Sequence, residues 1–158
     1  MTSSYPYEVL HMFRISRRLD YGLNLMLALA SENSDMPQST ASLAEKLNMP
    51  LPFMHQIAHS LMQSGLIKAT PGPRGGLRLN RPTTEVSVLQ IIEALEGPIN
   101  LNPEGNESNL KSALASTLIW DDLQQKLLLQ LGGLYLEDMV TQADQLQLYS
   151  QALLHSNN

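Results

Sequence analysis

The sequence predicts a mainly α-helical protein that carries one small β-hairpin, and three observations lead to this fold class. Before residue 65, apolar residues recur at steps of three and four, which is the period of an amphipathic helix. Residues 65–82 instead alternate apolar and polar residues on both sides of a tip rich in proline and glycine, which is typical of a hairpin. From about residue 113, leucines dominate a further helical stretch. The hairpin is marginal alone, so this combination predicts a winged helix-turn-helix followed by a long dimerisation helix.

The helices before the hairpin are predicted in order. Residues 1–13 lack a helical period, and we expect them to be an N-terminal extension. Residues 16–31 form a strongly periodic helix. Ser39 is a suitable N-cap for a second helix that reaches residue 47. Prolines 50 and 52 favour the first turn of a third helix that reaches about residue 64. The short turn between the last two helices is the spacing of a helix-turn-helix, in which the later helix reads the DNA.

The outer face of that third helix carries the polar groups that could contact bases. His55, Gln56 and His59 face outward when the apolar residues face the core. Histidines four residues apart also have the spacing of metal ligands, but no third and fourth ligands lie nearby in the sequence, so we expect no metal site. Hydrogen bonds to base edges or phosphates are the better interpretation.

The hairpin tip is the second candidate for DNA contact. Arg74 lies at its apex, where Pro73 restricts the backbone and Gly75 lets it approach a groove wall closely. A narrow, A·T-rich minor groove has a strong negative potential that favours an inserted arginine. Arg78 and Arg81 follow on the return strand and are expected to hold phosphates.

The rest of the chain is predicted to have a different role. A helix that reaches Glu96 ends at Gly97-Pro98, and residues 99–114 form a polar loop. Residues 115–158 then form a dimerisation helix and a C-terminal helical segment, with a break expected at the two glycines 132 and 133. The apolar stripe of the dimerisation helix is too wide for a solvated helix, which predicts that a second copy covers it. The residues expected at that interface are Trp120, Leu123, Leu127 and Leu131.

Composition and charge narrow the function classes. Of the 158 residues, 43% are hydrophobic, which is enough for a core, and none is cysteine, which excludes disulfides, thiolate metal sites and a cysteine nucleophile. No run has the length of a membrane span and no export signal is visible, so we expect a cytoplasmic protein. The net charge of −5 is unevenly distributed. Residues 1–90 carry eight Lys and Arg against six Asp and Glu, whereas residues 91–158 carry two against nine. A basic working half and an acidic second half follow from this asymmetry.

At this point the motifs match a known family. The chain resembles, over residues 12–140, the bacterial winged-helix regulators that include IscR, NsrR and CymR. The motifs that carry the resemblance are Arg14-Ile15-Ser16, Asp20-Tyr21-Gly22-Leu23, Leu43-Ala44-Glu45, Ser64-Gly65-Leu66-Ile67, Gly72-Pro73-Arg74-Gly75-Gly76-Leu77-Arg78-Leu79, Ile91-Ile92-Glu93-Ala94-Leu95-Glu96-Gly97-Pro98 and Trp120.

The resemblance implies a homodimer that binds a near-palindromic operator, with the reading helices in successive major grooves and the wings in the minor groove. It also implies that many members sense iron–sulfur clusters, nitric oxide or redox state through three cysteines in the loop before the tryptophan. In this chain residues 99–119 contain no cysteine, so no cofactor is expected. Asp20 matches an acidic cluster ligand of the nitric-oxide-sensing members and would be a ligand only if a cluster were found. The chain also departs from the family at Pro71, where members commonly carry an arginine.

Two classes of function stay open at this stage. The first is a homodimeric, sequence-specific DNA-binding regulator of transcription, a repressor, whose signal is a small molecule or a protein. The second is a winged-helix module that has lost DNA binding and pairs with another protein. No nucleophile–base motif or phosphate-binding loop indicates an enzyme. The residues expected to contact DNA are Arg14, Arg17, Arg18, Ser39, Pro52, His55, Gln56, His59, Arg74, Gly75, Arg78 and Arg81.

Overall fold

The computed structural model describes residues 14–31, 36–102 and 111–156, without the side chains of residues 149 and 152–156. The extension expected over residues 1–13 lies outside the described residues, as do residues 103–110 of the loop expected over residues 99–114. Residues 111–114 of that expected loop are helical instead. The elements are α1 (Arg17–Ser31), α2 (Thr40–Lys46), α3 (Leu51–Gln63), β1 (Ile67–Thr70), β2 (Gly76–Leu79), a 3-10 helix (Thr83–Glu85), α4 (Val88–Glu96), α5 (Lys111–Gly133) and α6 (Leu136–Ser156). The predicted fold class, helical with one two-stranded hairpin, is confirmed.

One hydrophobic core joins α1, α2, α3, the hairpin and α4. Its most deeply buried side chains come from several elements, because each amphipathic helix can bury its apolar stripe only against the others. The side chains with at most 1% exposure in these elements are Leu25, Met26, Leu29, Leu43, Met54, Ile57, Leu61 and Ile91. Leu136, from the start of α6, is also fully buried in this core.

Helices α2 and α3 end in the same way, and these ends set the two turns that shape the site. After α3, Gly65 has a φ of +70° and its N–H donates to the Met62 carbonyl, while the Leu66 N–H donates to the Leu61 carbonyl at 3.0 Å. After α2, Asn48 has a φ of +49° and makes the equivalent bond to Glu45. Glycine and asparagine are the residues that tolerate this left-handed position. Gly65 thus lies one residue beyond the C-cap of α3, which is Ser64.

The hairpin follows directly from the end of α3. Ile67 pairs with Leu79, Lys68 with Arg78, Ala69 with Leu77 and Thr70 with Gly76. Because successive side chains in a strand point to opposite faces, Ile67, Leu77 and Leu79 lie on one face and are buried. We call this the inner face of the wing. Lys68 and Arg78 lie on the other, the outer face of the wing.

The helical C-terminal part is interrupted near residues 132 and 133, where the sequence predicts a break. Helix α5 ends at Gly133 and α6 begins at Leu136. Between them, Tyr135 forms a β-bridge with Ser87: the Val88 N–H donates to the Leu134 carbonyl and the Leu136 N–H donates to the Val86 carbonyl, both at 2.8 Å. The turn between α5 and α6 is therefore joined to the segment that leaves the wing.

Helix α5 is less isolated than the sequence suggested. It packs against α4 of its own chain, and Gln124 accepts a hydrogen bond of 2.8 Å from the Leu101 backbone. Trp120 and Leu131 are half-buried in the single chain, whereas Leu123 and Leu127 are 44% and 37% exposed. The four residues expected at the dimer interface are thus divided between two environments, because the stripe is wide enough to meet the protein's own chain along one edge.

Candidate nucleic-acid interface

Helix α3 is held so that its polar side faces solvent. Its N-terminal turn follows Pro50, whose carbonyl accepts from the Phe53 and Met54 N–H groups at 3.0 Å, and Pro52 lies in the first turn. The buried stripe of Met54, Ile57 and Leu61 fixes the rotation of the helix about its axis. That rotation leaves the four predicted contact residues of this helix exposed, and these are Pro52, His55, Gln56 and His59.

Helix α2 and the wing are joined at Ser39 and its neighbour. The Ser39 side chain is exposed and caps α2 by accepting from the Ser42 N–H at 3.4 Å. One residue earlier, Gln38 pairs with Leu77 of β2 through two backbone hydrogen bonds of 2.8 Å. The wing is therefore anchored to the start of the helix-turn-helix as well as to the end of α3, so these parts form one unit. Nothing in the local sequence around Gln38 indicates this role.

The tip of the wing is short and presents its arginine to solvent. Its turn is closed by a hydrogen bond of 2.9 Å from the Gly75 N–H to the Gly72 carbonyl. A Cβ atom at residue 75 would collide with the Thr70 carbonyl oxygen, so glycine is needed there for a local steric reason. Arg74, between these residues, is exposed. This placement agrees with the predicted apex position.

A groove of about 430 Å³ lies between the helix-turn-helix and the inner side of the wing. One wall includes Ser39, Thr40 and His55, and the other is formed by the wing residues Ala69, Thr70, Gly72, Pro73, Gly75, Gly76 and Leu77. Three of the predicted contact residues, Ser39, His55 and Gly75, are thus brought to one concave surface. Thr40 lines the same surface and was not predicted, because its sequence context indicates only the first turn of a helix.

The arginines at the start of α1 occupy two different environments. Arg14 and Arg17 are exposed. Arg18 points into its own chain, where Nε donates to the Leu95 carbonyl at 2.9 Å and Nη2 donates to the Ser60 hydroxyl at 2.6 Å. These bonds join α1, α3 and the end of α4. The structure thus shows a positioning role for Arg18 that explains the residue without a phosphate.

The described side chains do not provide a suitable set of ligands for a metal ion or a cluster. Among the described residues, no group of three or more His, Cys, Asp or Glu side chains is arranged to hold a metal ion. Asp20, the position that matched a cluster ligand, is exposed in the first turn of α1. An iron–sulfur cluster is held chiefly by thiolates, and the chain has no cysteine to supply them. The donor atoms of this chain therefore do not fit the cluster that the resemblance implies.

No described helix combines the length and the apolar character that a membrane span requires. Among the described residues, no ion pair involves a cation of the wing. The side chains of Lys126 and Asp122 form an ion pair with an N–O distance of 2.6 Å on α5, which is far from the wing in sequence.

Comparison with known proteins agrees with this architecture. HTH-type transcriptional regulator IscR of Cereibacter sphaeroides is 28% identical over 119 residues, which cover 72% of this chain and 77% of that protein. CymR of Bacillus subtilis is 33% identical over 87 residues, or 55% of this chain and 63% of that protein.

Solved structures show the same similarity. CymR, the global cysteine regulator of B. subtilis, superimposes with a TM-score of 0.71 at 29% identity, covering 82% of this chain and 98% of that one. IscR of T. potens superimposes with a TM-score of 0.69 at 26% identity, covering 86% and 92%. The family model described as "Rrf2: Iron-dependent Transcriptional regulator" matches residues 15–142. The chain belongs to the Rrf2 family of transcriptional regulators.

Proposed function

We propose that this protein is a homodimeric, sequence-specific DNA-binding regulator that represses transcription without a cysteine-ligated iron–sulfur cluster. The observation that carries the proposal is the groove between α3 and the wing. His55 of α3 lines one side together with Ser39 and Thr40 at the start of α2, and the exposed Arg74 projects from the tip of the wing on the other side. A helix that enters a major groove and a wing that enters the neighbouring minor groove need this arrangement.

The anchoring of the wing supports sequence-specific reading. Because Gln38 and Leu77 fix the wing to the start of α2, α3 and the tip have a set separation. DNA whose grooves do not match that separation must deform, and the cost of deformation depends on sequence. Arg74 then contributes specificity through groove shape, whereas exposed cations such as Arg17 hold phosphates and contribute affinity.

Two arginine variants test this proposal. Arg74→Ala should weaken binding to a selected operator by about 1–3 kcal/mol and reduce the preference for A·T pairs under the wing. Arg81→Ala should weaken all duplexes to a similar extent and lower the salt slope by about one unit. Titration of both variants on operator and scrambled duplexes over a salt series measures these effects. Unchanged affinity and base preference in Arg74→Ala would instead support the protein-interaction alternative.

The dimer is supported by the exposed apolar residues of α5. Leu123 and Leu127 face solvent along one side of the helix, and Ile119 continues the same side with 60% exposure. A second copy would remove this surface from water. Leu123→Asp should therefore dissociate the dimer, since it buries an unpaired charge. Sedimentation of the wild type should give twice the chain mass of 17.5 kDa, and a monomer at micromolar concentration would contradict the proposal.

The repressor role and the absence of a cluster are parts of the same proposal. A chain composed of a DNA-reading unit and a dimer helix acts most simply by occupying a promoter, which blocks transcription. Deletion of the protein should raise expression from a promoter that contains the selected operator. Protein purified without oxygen should contain no stoichiometric iron or sulfide, because thiolates are the usual ligands. A cluster found there would make Asp20 and the histidines the residues to test.

A further inference from the structure

The outer face of the wing carries two cations in an arrangement that is unfavourable in the free protein. Lys68 and Arg78 are directly opposite each other in the antiparallel pair. Side chains at such positions have Cβ atoms about 4.5–5.5 Å apart, and like charges there destabilise a hairpin. The neighbouring pair on the inner face, Ile67 and Leu79, supplies the burial that holds the hairpin in place. The charge pair therefore has no evident role in folding.

Nothing in the described part of the chain neutralises these charges. Neither Lys68 nor Arg78 has an ion-pair partner there. Arg78 is half-buried, and its Nε atom is buried without any hydrogen-bond acceptor. A buried donor without an acceptor costs free energy, and the guanidinium recovers it when it reorients toward an acceptor that a ligand brings to this face. Both observations indicate an anionic ligand on this face.

The position of the face indicates which anion. If α3 lies in a major groove of the DNA, one phosphate strand separates that major groove from the neighbouring minor groove. This strand then passes through the protein groove between α3 and the inner side of the wing. A wing in the minor groove has the other strand on its opposite side. Lys68 and Arg78 lie two strand residues from the last pair, Thr70 and Gly76, which is about 7 Å. Their long side chains can therefore reach that second strand.

We propose that Lys68 and Arg78 together form a phosphodiester-binding site on the outer face of the wing, which grips the strand across the minor groove. This inference rests on the proposed function and deepens it. Arg74 reads the shape of the minor groove from within, while the two cations hold one of its walls. Lys68 was not among the residues that the sequence analysis assigned to DNA, because its neighbours show only strand alternation.

A simpler role for Lys68 must be distinguished from this one. β1 is an edge strand, since β2 pairs with Gln38 on its other side, and lysines on free edges prevent strand addition. That role predicts aggregation without Lys68 and no change in DNA affinity. Arg78 lies on the inner strand β2, where protection of an edge does not require a cation.

The test uses Lys68→Gln, Arg78→Gln and the double variant of the full-length protein, with Lys126→Gln on α5 as the matched control. The probe is a duplex obtained by selection from random sequence. Each single variant should lose about tenfold in affinity at 0.1 M salt and reduce the salt slope by about one unit, because one phosphate contact releases about 0.9 counterion. The control should change neither. Inorganic phosphate at the same ionic strength should not compete, since one free ion lacks the spacing of a strand.

Neutral methylphosphonate linkages then locate the contacts. A methylphosphonate at a contacted phosphate should abolish the loss of affinity that Lys68→Gln causes. In each half-site, these linkages should lie on one strand only. The linkages that abolish the loss caused by Arg78→Gln should be at the same positions. The melting temperature of unbound Lys68→Gln should rise by about 1–3 °C at low salt, because the repulsion is removed. This last readout does not depend on DNA.

The outcomes separate the two levels of the proposal. If the wild type binds the selected duplex and both single variants keep its affinity and salt slope, the site is wrong and the proposed function stands. Sensitive linkages distributed over both strands of one half-site would also overturn it. If the wild type selects no duplex at all, the site and the proposed function are wrong together.

Discussion

Replacement of Gly76 by alanine tests whether the wing is held by the start of the helix-turn-helix. Gly76 has a φ of +151°, and a Cβ atom there would collide with the Gln38 carbonyl and lie 2.8 Å from the Ser39 nitrogen. The wing would have to move away from Gln38. That movement breaks the two backbone hydrogen bonds between Gln38 and Leu77.

The magnitude follows from these two effects. Two lost backbone hydrogen bonds cost about 2 kcal/mol together, and the disfavoured φ costs about 1–2 kcal/mol. Gly76→Ala should therefore lower the free energy of unfolding by about 3–4 kcal/mol. Gly72→Ala is the control, because Gly72 also has a positive φ, +102°, but has nothing within 4 Å of the new methyl group. It should cost only the conformational part, about 1–2 kcal/mol.

Urea denaturation of both variants at one protein concentration measures the difference, and operator binding measures its consequence. Gly76→Ala should also lose base preference under the wing, because the tip no longer has a set distance from α3. Equal destabilisation by Gly76→Ala and Gly72→Ala would refute the reasoning. It would show that the wing tolerates detachment from Gln38.

Two further predictions concern the packing of α1 on its neighbours. Gly22→Ala should destabilise the protein by about 1–3 kcal/mol, visible as a lower melting temperature, because the new methyl group meets the side chain of buried Leu95 and overpacks the contact. Arg18→Met should cost about 1–3 kcal/mol in the same assay, since it leaves the Leu95 carbonyl and the Ser60 hydroxyl without their donor. Arg17→Met, at an exposed position, should stay within about 0.5 kcal/mol of the wild type.

Local features of this fold could be predicted from the sequence. The Pro/Gly-rich tip, the N-cap at Ser39 and the positive-φ glycine at residue 65 are decided by residues close together in the chain. The same holds for the capping box at Ser87, where Gln90 and Ser87 satisfy each other's backbone N–H groups. These signals place α3 and the wing in order and expose the expected residues of α3.

Contacts between distant residues could not be predicted in this way. Gln38 is a polar loop residue in the sequence, and its pairing with Leu77 is visible only when the hairpin folds back. Arg18 is the same type of residue as its exposed neighbour Arg17 and lies in the same helical turn. It nevertheless faces Leu95, because α4 packs beside α1. Trp120 belongs to an apolar stripe of which one edge is half-buried against its own chain and the other is exposed, and periodicity alone does not divide the two edges.

The bridge between Ser87 and Tyr135 has a mechanical consequence. It ties the turn at the end of α5 to the segment just after the wing, and the Thr83 hydroxyl donates to the Glu137 carboxylate beside it. A change in the angle of α5 would therefore be transmitted through this bridge to the N-cap of α4 and to the segment behind the wing. The wing is held in front by Gln38 and the segment that follows it is held by this bridge, so tension from the C-terminal helices would be carried to the attachment of the wing as well as to α4.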